Sequence, residues 1–414
     1  MFQPRRSDHA GPRPVLFVSV LQQSMKSSRK AFALDAVVAG YLGVDIAPGF
    51  RARRTSVPAA ELFRPGKLIE TEGLSFSLGG VVANTGLAMK QFGQRVGLMG
   101  CVGTDALGNM VTGRLREQGV TRGIRRSRRT GTAYGIVIAP PGMDRIFFED
   151  PGCNGVFTAE DIDYQTVARS RLFHFGYPPL MKSMWASQGA ELRRMFRRVR
   201  KLGVATSLDM ALPDANSPAG AANWQRILSA TLPYVDIFVP SIEEMLFMLE
   251  PEQYACLAAR AAGGDLVGAI PSEAFERLSD RILALGVTLL MIKAGPRGAY
   301  IRTGNVEKLT SSTALKLPAP AWNHRSLWAG SFPVDARRFK NACGAGDCAA
   351  AGFLTALLNG VEIEKAAPYA MLAGRDSLYG VDACSGLSDW GRMTRLIERH
   401  SGPAREAGRV RVLR

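Results

Sequence analysis

The sequence has few of the residues from which protein metal and redox sites are built. Only four histidines occur in 414 residues, and no two of the six cysteines form a C-x-x-C pair. A zinc site needs clustered sulfur and nitrogen ligands, so we do not expect one here. Scattered cysteines in a chain this long are typical of a reducing compartment, which predicts a cytoplasmic protein.

Long apolar runs and a P-loop are also missing. No apolar run reaches the ~18 residues needed to cross a bilayer, so no membrane partner is expected. No G-x-x-x-x-G-K-[ST] pattern occurs, so any bound phosphate must be held by another device. With 46% hydrophobic residues the chain can still build a large core, in one big domain or two.

Acidic residues are outnumbered, since 36 aspartates and glutamates face 52 lysines and arginines. In the stretch 193–201, however, the arginines alternate with apolar residues, as on the solvated face of an amphipathic helix. No basic motif rich in aromatic residues is present. We therefore do not expect nucleic-acid binding, and a basic surface that attracts anionic nucleotides is the simpler interpretation.

The most informative stretch is residues 341–347, followed by the apolar run 348–358. The run has the composition of a buried helix, and Gly360 supplies a plausible stop. Residues 344–347 are then predicted to form the first turn of that helix, where unpaired N–H groups and the helix dipole bind anions. Asp347 stands beside this anion site as a candidate base for a hydroxyl, which points to phosphoryl transfer to an alcohol.

Two other interpretations of this stretch compete with the first. Asp347 is a favoured helix N-cap residue and could serve only that purpose. The pattern Gly344-x-Gly346-x-x-Ala349 also fits a loose dinucleotide-binding fingerprint, but that fingerprint follows an apolar strand. Residues 335–340 would make a poor buried strand, which disfavours dinucleotide binding and leaves the capping interpretation open.

Strands and helices alternate along most of the chain, which predicts a mostly parallel sheet covered on both faces. Two short strands at 132–139 and 145–148 interrupt this order as a hairpin and are candidates for a lid. Residues 317–333, rich in Pro and Trp, are predicted to be a surface loop. The predicted strands are 36–39, 95–101, 172–175, 204–208, 235–239 and 287–292; the predicted helices are 81–92, 106–118, 185–201, 221–230 and 272–285.

A second group of residues forms a candidate acceptor site. Gly79 and Gly80 permit close backbone approach at the entry of helix 81–92, and Asn84 within that apolar helix must find polar partners. A bound hydroxylated ligand is one such partner and a neighbouring backbone is another. Asp45 lies beyond the strand 36–39, either at a ligand crevice or as a simple turn residue.

These stretches resemble the ribokinase-like (PfkB) family of carbohydrate and nucleoside kinases over about residues 35–400. The most specific match is Gly344-Ala345-Gly346-Asp347 with its small-residue helix, and the second is Gly79-Gly80 with Asn84. Supporting matches follow in the family's order: Gly40 with Asp45, Gly152-x-Asn154, Asp236-x-x-x-Pro240 with Glu244, and Lys293-x-Gly295-x-x-Gly298. The resemblance implies an α/β fold of three layers, α/β/α, with a mostly parallel central sheet and a small β lid.

The resemblance also implies a role for each matching residue. Asp347 would be the general base, and the backbone of Gly344, Ala345, Gly346 and Asp347 would form the anion hole. Asp45, Gly79, Gly80, Asn84 and Asn154 would bind the acceptor, a small sugar or a nucleoside. Ser241, Glu244, Lys293, Gly295 and Gly298 would bind ATP, with Glu244 acting on Mg²⁺ through water.

The implied kinase domain spans residues 34–400, with a lid from about 46–76 and 130–152. A basic extension, residues 1–33, and a basic tail, residues 401–414, flank it, and we expect the extension to be disordered. Asn341 replaces an Asp that often belongs to the family's monovalent-cation site, which leaves K⁺ activation in doubt. Some family members form homodimers through their lids, and the sequence does not test this.

The leading hypothesis is therefore an ATP-dependent sugar kinase, and two alternatives stay open. A nucleoside kinase of the same fold would need an aromatic or apolar shelf for the base. A catalytically silent kinase-fold binding protein is suggested by the departure at Asn341 and by Ser241, which stands where the family usually has Asn before Glu244.

Overall fold

The computed structural model describes residues 32–50, 63–140, 146–262, 264–400 and 410–413. The predicted N-terminal extension, residues 1–33, lies outside the described residues except for its last two. The strands are Leu34–Gly40 (β1), Gly43–Pro48 (β2), Leu74–Gly79 (β3), Val96–Gly103 (β4), Ile124–Ser127 (β5), Ala133–Ile138 (β6), Ile146–Asp150 (β7), Ser170–Gly176 (β8), Ala205–Leu208 (β9), Ile237–Phe238 (β10), Leu289–Lys293 (β11), Ala299–Thr303 (β12), Ser326–Ala329 (β13) and Val410–Leu413 (β14).

Helices connect most of these strands. They are Val81–Gln91 (α1), Ala106–Glu117 (α2), Tyr164–Val167 (α3), Lys182–Arg200 (α4), Trp224–Thr231 (α5), Ile242–Leu249 (α6), Pro251–Ala261 (α7), Leu266–Ala269 (α8), Ser272–Ala284 (α9), Val306–Ser312 (α10), Ala319–Trp322 (α11), Ala345–Leu358 (α12), Ile363–Ser377 (α13) and Trp390–His400 (α14). Helix α4 is interrupted at residues 186–189. None of the helices in the described ranges is long and apolar enough to cross a bilayer.

The main sheet of the described residues has ten strands in the order β14-β13-β12-β11-β10-β9-β8-β1-β4-β5. Strands β11 to β5 of that order pair in parallel, and β12, β13 and β14 pair antiparallel at one edge. The parallel strands therefore direct their carboxyl ends to one side of the sheet, and this is where ligands bind in open α/β folds.

The sheet is buried on both faces, as its apolar strands require. In β1, Ala36 and Val38 belong to one core cluster, whereas Val37 and Ala39 belong to the other, because successive side chains point to opposite faces. Helices α1, α12 and α13 pack in the first cluster and helices α4, α6 and α9 in the second. This confirms the predicted three layers.

A separate four-stranded sheet, in the order β3-β2-β6-β7, forms the lid. Strands β6 and β7 pair antiparallel, which confirms the predicted hairpin. The alternative that Asp45 is a simple turn residue is wrong: Asp45 lies within β2, paired with Ser77 of β3 and Gly135 of β6. The chain leaves the main sheet at Gly40 and enters the lid sheet almost at once, which a one-dimensional pattern does not reveal.

Two segments at the antiparallel edge differ from the sequence prediction. Residues 317–333 are not a surface loop, since they contain α11 and β13, and Trp322 is fully buried against Phe353. Proline is tolerated in the first turn of a helix, so the Pro-rich composition does not prevent α11. The predicted basic tail, residues 401–414, contains β14, which pairs with β13 as the edge strand of the main sheet.

Candidate active site

A cleft of ≈ 1170 Å³ opens between the lid sheet and the carboxyl ends of the parallel strands. Ligand pockets commonly measure about 300–1,000 Å³, so this cleft has room for two small molecules. Most of the residues predicted from sequence line it together: Asp45, Gly79, Gly80, Asn84, Ser241, Glu244, Lys293, Gly295, Gly298, Gly344, Ala345, Gly346 and Asp347.

Asn154 is the exception among the predicted site residues. Its side chain is fully buried and does not line the cleft. The side-chain oxygen accepts a hydrogen bond from the Leu42 amide at 3.3 Å, and the side-chain nitrogen donates to the Leu42 carbonyl at 2.9 Å. Asn154 therefore fixes the backbone between β1 and β2, where the lid leaves the main sheet.

Helix α12 begins in the cleft. Its N-cap is Gly344, in the left-handed region at φ 78°, and no side chain caps this end. The interpretation of Asp347 as the N-cap is therefore wrong, because Asp347 is the third residue of the helix. The first-turn amides of Ala345, Gly346 and Asp347 have no intrahelical acceptor, and they face a site where an anion is favoured.

Three side chains hold the Asp347 carboxylate, which is 2% exposed. Its Oδ2 accepts hydrogen bonds from the Tyr177 hydroxyl at 2.6 Å and from the Asn84 amide at 2.9 Å. Its Oδ1 makes only a long contact, 3.4 Å, with the Thr85 hydroxyl. One carboxylate oxygen is thus fixed, and the other is available to a ligand.

Burial raises the pKa of Asp347 above the ordinary value, and the hydrogen bonds from Tyr177 and Asn84 oppose this rise. Because a general base works best with a pKa near the operating pH, these opposing effects suit that role. Tyr177 directly follows β8 and has a left-handed backbone, φ 67°. Strained backbones of this kind are concentrated at functional sites.

A buried ion pair lies next to the start of α12. The Lys293 ammonium contacts both carboxylate oxygens of Asp209 at 2.7 Å. Burial alone would lower the pKa of Lys293, but the charges of Asp209 and Glu244 raise it above the ordinary value. A Cβ at Gly346 would stand 3.6 Å from the Lys293 nitrogen, so this cation lies beside the first turn of α12.

Glu244 is a buried carboxylate at the start of α6. Its Oε2 accepts from the Ser241 amide at 2.6 Å, and the Ser241 hydroxyl accepts from the Glu244 amide at 3.2 Å, which is a capping box. Its remaining oxygen is compatible with a water ligand of Mg²⁺, which keeps several waters when phosphates bind it. No cluster of three or more metal-binding side chains occurs in the described ranges.

Asp45 faces this machinery from the lid. A Cβ at Gly79 would lie 2.6 Å from an oxygen of the Asp45 carboxylate, so a larger residue at that position would displace this carboxylate. Burial first, and then the charges of Glu149 and Asp347, raise the pKa of Asp45 to about 7. Asp45 and Asp347 therefore share one cleft closely enough to interact electrostatically.

The opposite end of the cleft is more apolar. Gly295 and Gly298 both have left-handed backbones, φ 49° and 102°, and a Cβ at Gly298 would lie 2.0 Å from the Ala329 carbonyl oxygen. The lining includes the apolar residues Pro296, Phe332, Pro333, Val334, Met371 and Leu378, with Ser331 beside Pro296 and Arg375 beside Phe332. Such a surface suits a planar base more than a sugar.

The sequence also matches known proteins. The model of the pfkB family carbohydrate kinases matches residues 54–323 of the chain. The chain belongs to the PfkB family of carbohydrate kinases. The family match ends before α12, so the case for Asp347 comes from the site geometry.

The relatives of this PfkB-family chain are distant. A 5-dehydro-2-deoxygluconokinase from Photobacterium profundum is 22% identical over 84% of this chain and 89% of its own length. An Arabidopsis thaliana ribokinase solved with ribose and ATP superposes with a TM-score of 0.64 at 17% identity, over 88% of this chain and 99% of its own. An Escherichia coli chain solved with ATP and Mg²⁺ superposes with a TM-score of 0.64 at 20% identity, over 89% and 100%. The ribokinase-like fold is therefore shown.

Sequence reasoning missed several residues of this PfkB-family site. Tyr177, which the sequence suggested only as a candidate shelf for a nucleoside base, and Asp209 directly follow strands β8 and β9. The rule that ligands bind at strand carboxyl ends could have selected both for the catalytic site. Tyr41 and Glu149 line the cleft as well. Glu149 carried no such signal, because its position depends on the pairing register of the lid.

Proposed function

We propose that the protein transfers the γ-phosphoryl group of ATP to a hydroxyl of a small sugar. The observation that carries this proposal is the meeting of three groups in one cleft: the Asp347 carboxylate, the first-turn amides of α12 and the Lys293 ammonium. A base beside an anion-binding helix end is what phosphoryl transfer to an alcohol requires.

In this mechanism, the free Oδ1 of Asp347 accepts the proton of the sugar hydroxyl. The sugar oxygen attacks the γ-phosphorus in line with the bond to the leaving oxygen, and ADP departs with that bond's electrons. The amides of residues 345–347 and the ammonium of Lys293 stabilise the negative charge on the transferring group. Tyr177 and Asn84 keep the carboxylate oriented through its other oxygen.

ATP would lie along the side of the cleft formed by Gly295 and Gly298, with its base against the apolar lining. Mg²⁺ bound with ATP neutralises phosphate charge. Glu244 is the residue suited to hold that ion through water, because it is buried on the cleft with one oxygen outside the capping box. The sugar would lie between Asp347 and the lid, with Asp45 accepting from its hydroxyls.

The decisive test measures ADP release from ATP and Mg²⁺ with a panel of sugars and nucleosides, with and without K⁺, together with mass detection of the phosphorylated product. We expect a neutral sugar to be the acceptor. The Asp347→Asn variant should lose about 10²–10⁴-fold in turnover, since it loses a positioned base. Its matched control is Asp280→Asn, which changes an aspartate that pairs with Arg302 at the surface.

Near-normal turnover by Asp347→Asn would remove Asp347 from the role of base. ATP binding without a phosphorylated product from any acceptor would instead favour a silent binding protein. A nucleoside as the best acceptor would favour the nucleoside kinase of the same fold.

A further inference from the structure

One row of the lid sheet presents two carboxylates to the cleft with a glycine between them. Asp45 of β2 pairs with Gly135 of β6, and Gly135 pairs with Glu149 of β7. Directly paired residues on neighbouring strands point to the same face of a sheet. All three residues line the cleft, so this acidic row, Asp45–Gly135–Glu149, forms the lid side of the acceptor site.

The spacing of the acidic row suits a small sugar. Neighbouring strands lie about 4.8 Å apart, so the Asp45 and Glu149 backbones stand about 10 Å apart across Gly135. The absent side chain of Gly135 leaves a notch between them, and a Cβ there would lie 3.4 Å from the Asp45 carboxylate. Glu149 lines the cleft yet stays open to solvent, which leaves it accessible to an entering ligand.

A tyrosine hydroxyl is directed to the same place. Tyr41 is 5% exposed and lines the cleft, and its hydroxyl has no hydrogen-bond partner among the described residues. The Glu149 carboxylate lies beside this hydroxyl, and burial first, then the charge of Glu149, raises the pKa of Tyr41. A buried polar group normally has a partner, so an unsatisfied hydroxyl at the cleft indicates a ligand that supplies one.

We propose that Tyr41 and Glu149 determine acceptor specificity, together with Asp45, by selecting an uncharged polyhydroxylated sugar over a sugar acid or a sugar phosphate. This inference rests on the proposed sugar kinase function. Carboxylates accept hydrogen bonds from sugar hydroxyls, and the tyrosine hydroxyl donates to a sugar oxygen. A carboxylate or phosphate on the acceptor would instead face the like charges of Asp45, Glu149 and Asp347.

The electrostatics of the row agree with this choice. The charges of Glu149 and Asp347 raise the pKa of Asp45, so both carboxylates interact electrostatically with Asp45 in the absence of a ligand. An additional anion would add to that repulsion, whereas a hydroxyl donor relieves it. The cations of the cleft, Lys293 and Arg375, contact Asp209 and Asp376, away from the acidic row.

The test compares kcat and KM of the full chain, with ATP and Mg²⁺, for two sets of acceptors. Ribose, fructose and glucose form the neutral set; gluconate, glucuronate and fructose 6-phosphate form the anionic set. We expect the best neutral sugar to exceed every anionic acceptor by at least about 100-fold in kcat/KM, because opposed like charges strongly disfavour a partner.

Substitutions test whether the preference for neutral sugars comes from the acidic row and Tyr41. Glu149→Gln and Tyr41→Phe should each raise the KM of the neutral sugar roughly ten-fold at little change in kcat, as the loss of one hydrogen bond to a charged or buried group predicts. Asp280→Asn is the matched control: Asp280 pairs with Arg302 and does not line the cleft, so the kinetics of this variant should stay unchanged. Glu149→Lys should shift the neutral-to-anionic preference toward anionic acceptors by about 100-fold.

The outcomes separate this inference from the function on which it rests. If the enzyme phosphorylates sugars but prefers an anionic acceptor, the specificity role is overturned and the kinase function stands. The same conclusion follows if the KM is unchanged in both Glu149→Gln and Tyr41→Phe. Absence of any phosphorylated product from the whole panel would overturn the function itself, and the inference with it.

Discussion

The proposed role of Asp347 as a base depends on burial and hydrogen bonding, which act on the pKa of its carboxylate in opposite directions. Burial raises the pKa of Asp347, and the hydrogen bond from Tyr177 is the largest of the effects that lower it. Tyr177 itself stays protonated, because burial and then the Asp347 charge raise its pKa well above the ordinary value. Tyr177 is therefore a hydrogen-bond donor that stabilises the ionised form of Asp347, the form that the proposed mechanism requires.

Replacing Tyr177 with Phe should reveal this role in the pH dependence of catalysis. Without the Tyr177 hydrogen bond the pKa of Asp347 rises further, so the acidic limb of the kcat/KM profile should move to higher pH. At pH 7 we expect a loss of roughly ten-fold, as for one hydrogen bond to a charged group. The measurement is a pH profile of kcat/KM for the best acceptor.

Tyr164→Phe is the control for this experiment, since the Tyr164 hydroxyl bonds only to the Ala159 carbonyl, outside the cleft. A Tyr177→Phe variant with lower activity but an unmoved acidic limb would mean that Tyr177 only packs in the site. A limb that moved to lower pH would contradict the direction argued for the Asp347 pKa.

At the scale of elements, the start of α12 is held in place by a contact that only glycine allows. A Cβ at Gly344 would lie 2.4 Å from the Ala383 Cβ and 3.3 Å from the Asn84 side-chain nitrogen. Gly344 is also in the left-handed region, which costs other residues about 1–2 kcal/mol. A side chain here would push the anion-binding turn away from Asn84 and so disturb the base.

The Gly344→Ala variant should therefore lose stability and most of its turnover, about 10²-fold, because small displacements of catalytic groups are costly. Gly93→Ala separates the two effects. Gly93 also has a left-handed backbone, φ 91°, but a Cβ there would meet nothing within 4 Å. The Gly93→Ala variant should lose a similar amount of stability through backbone strain, as measured by thermal unfolding, and should keep its turnover. Equal kinetic losses in both variants would show that strain alone explains the effect.

Elements with a clear apolar pattern were predictable from the sequence, and elements that depend on partners were not. The helix at 81–92 and the strand at 287–292 correspond to α1 and β11 within two residues at each end. In contrast, β13 is stabilised by pairing with β12 and β14, so its Pro- and Trp-rich surroundings gave no strand signal. Strand propensity depends on such context more than helix propensity does.

The residues of the candidate site also divide into those that the sequence predicts and those that depend on distant partners. The glycine-rich turns allowed Gly79, Gly80, Gly344 and Gly346 to be predicted as site residues, because a close approach of the backbone to a ligand favours glycine in the sequence. The position of Glu149 follows from the β6–β7 register, and a slip of one residue would turn it to the other face. The Tyr177 bond to Asp347 joins residues 170 positions apart, which no local pattern reports.

At the scale of the whole molecule, the C-terminal segment closes the antiparallel edge of the main sheet. Strand β14 pairs with all four residues of β13, and its Val410 and Leu413 pack against the two core clusters on opposite faces. An uncovered β13 would present unpaired backbone groups, and such edges promote association between chains. Residues 410–413 of the predicted tail are therefore part of the fold.

Deletion of residues 410–414 should destabilise the protein and promote its aggregation. Loss of two partly buried apolar side chains costs roughly 2 kcal/mol, which lowers the melting temperature by about 2–4 °C in a large domain. Val412→Ser is the control on the same strand, because Val412 is 58% exposed and should tolerate a polar side chain. Differential scanning calorimetry gives the melting temperature, and light scattering during heating reports association. An unchanged melting temperature without increased scattering would mean that β14 does not stabilise the sheet, and that the edge at β13 needs no cover.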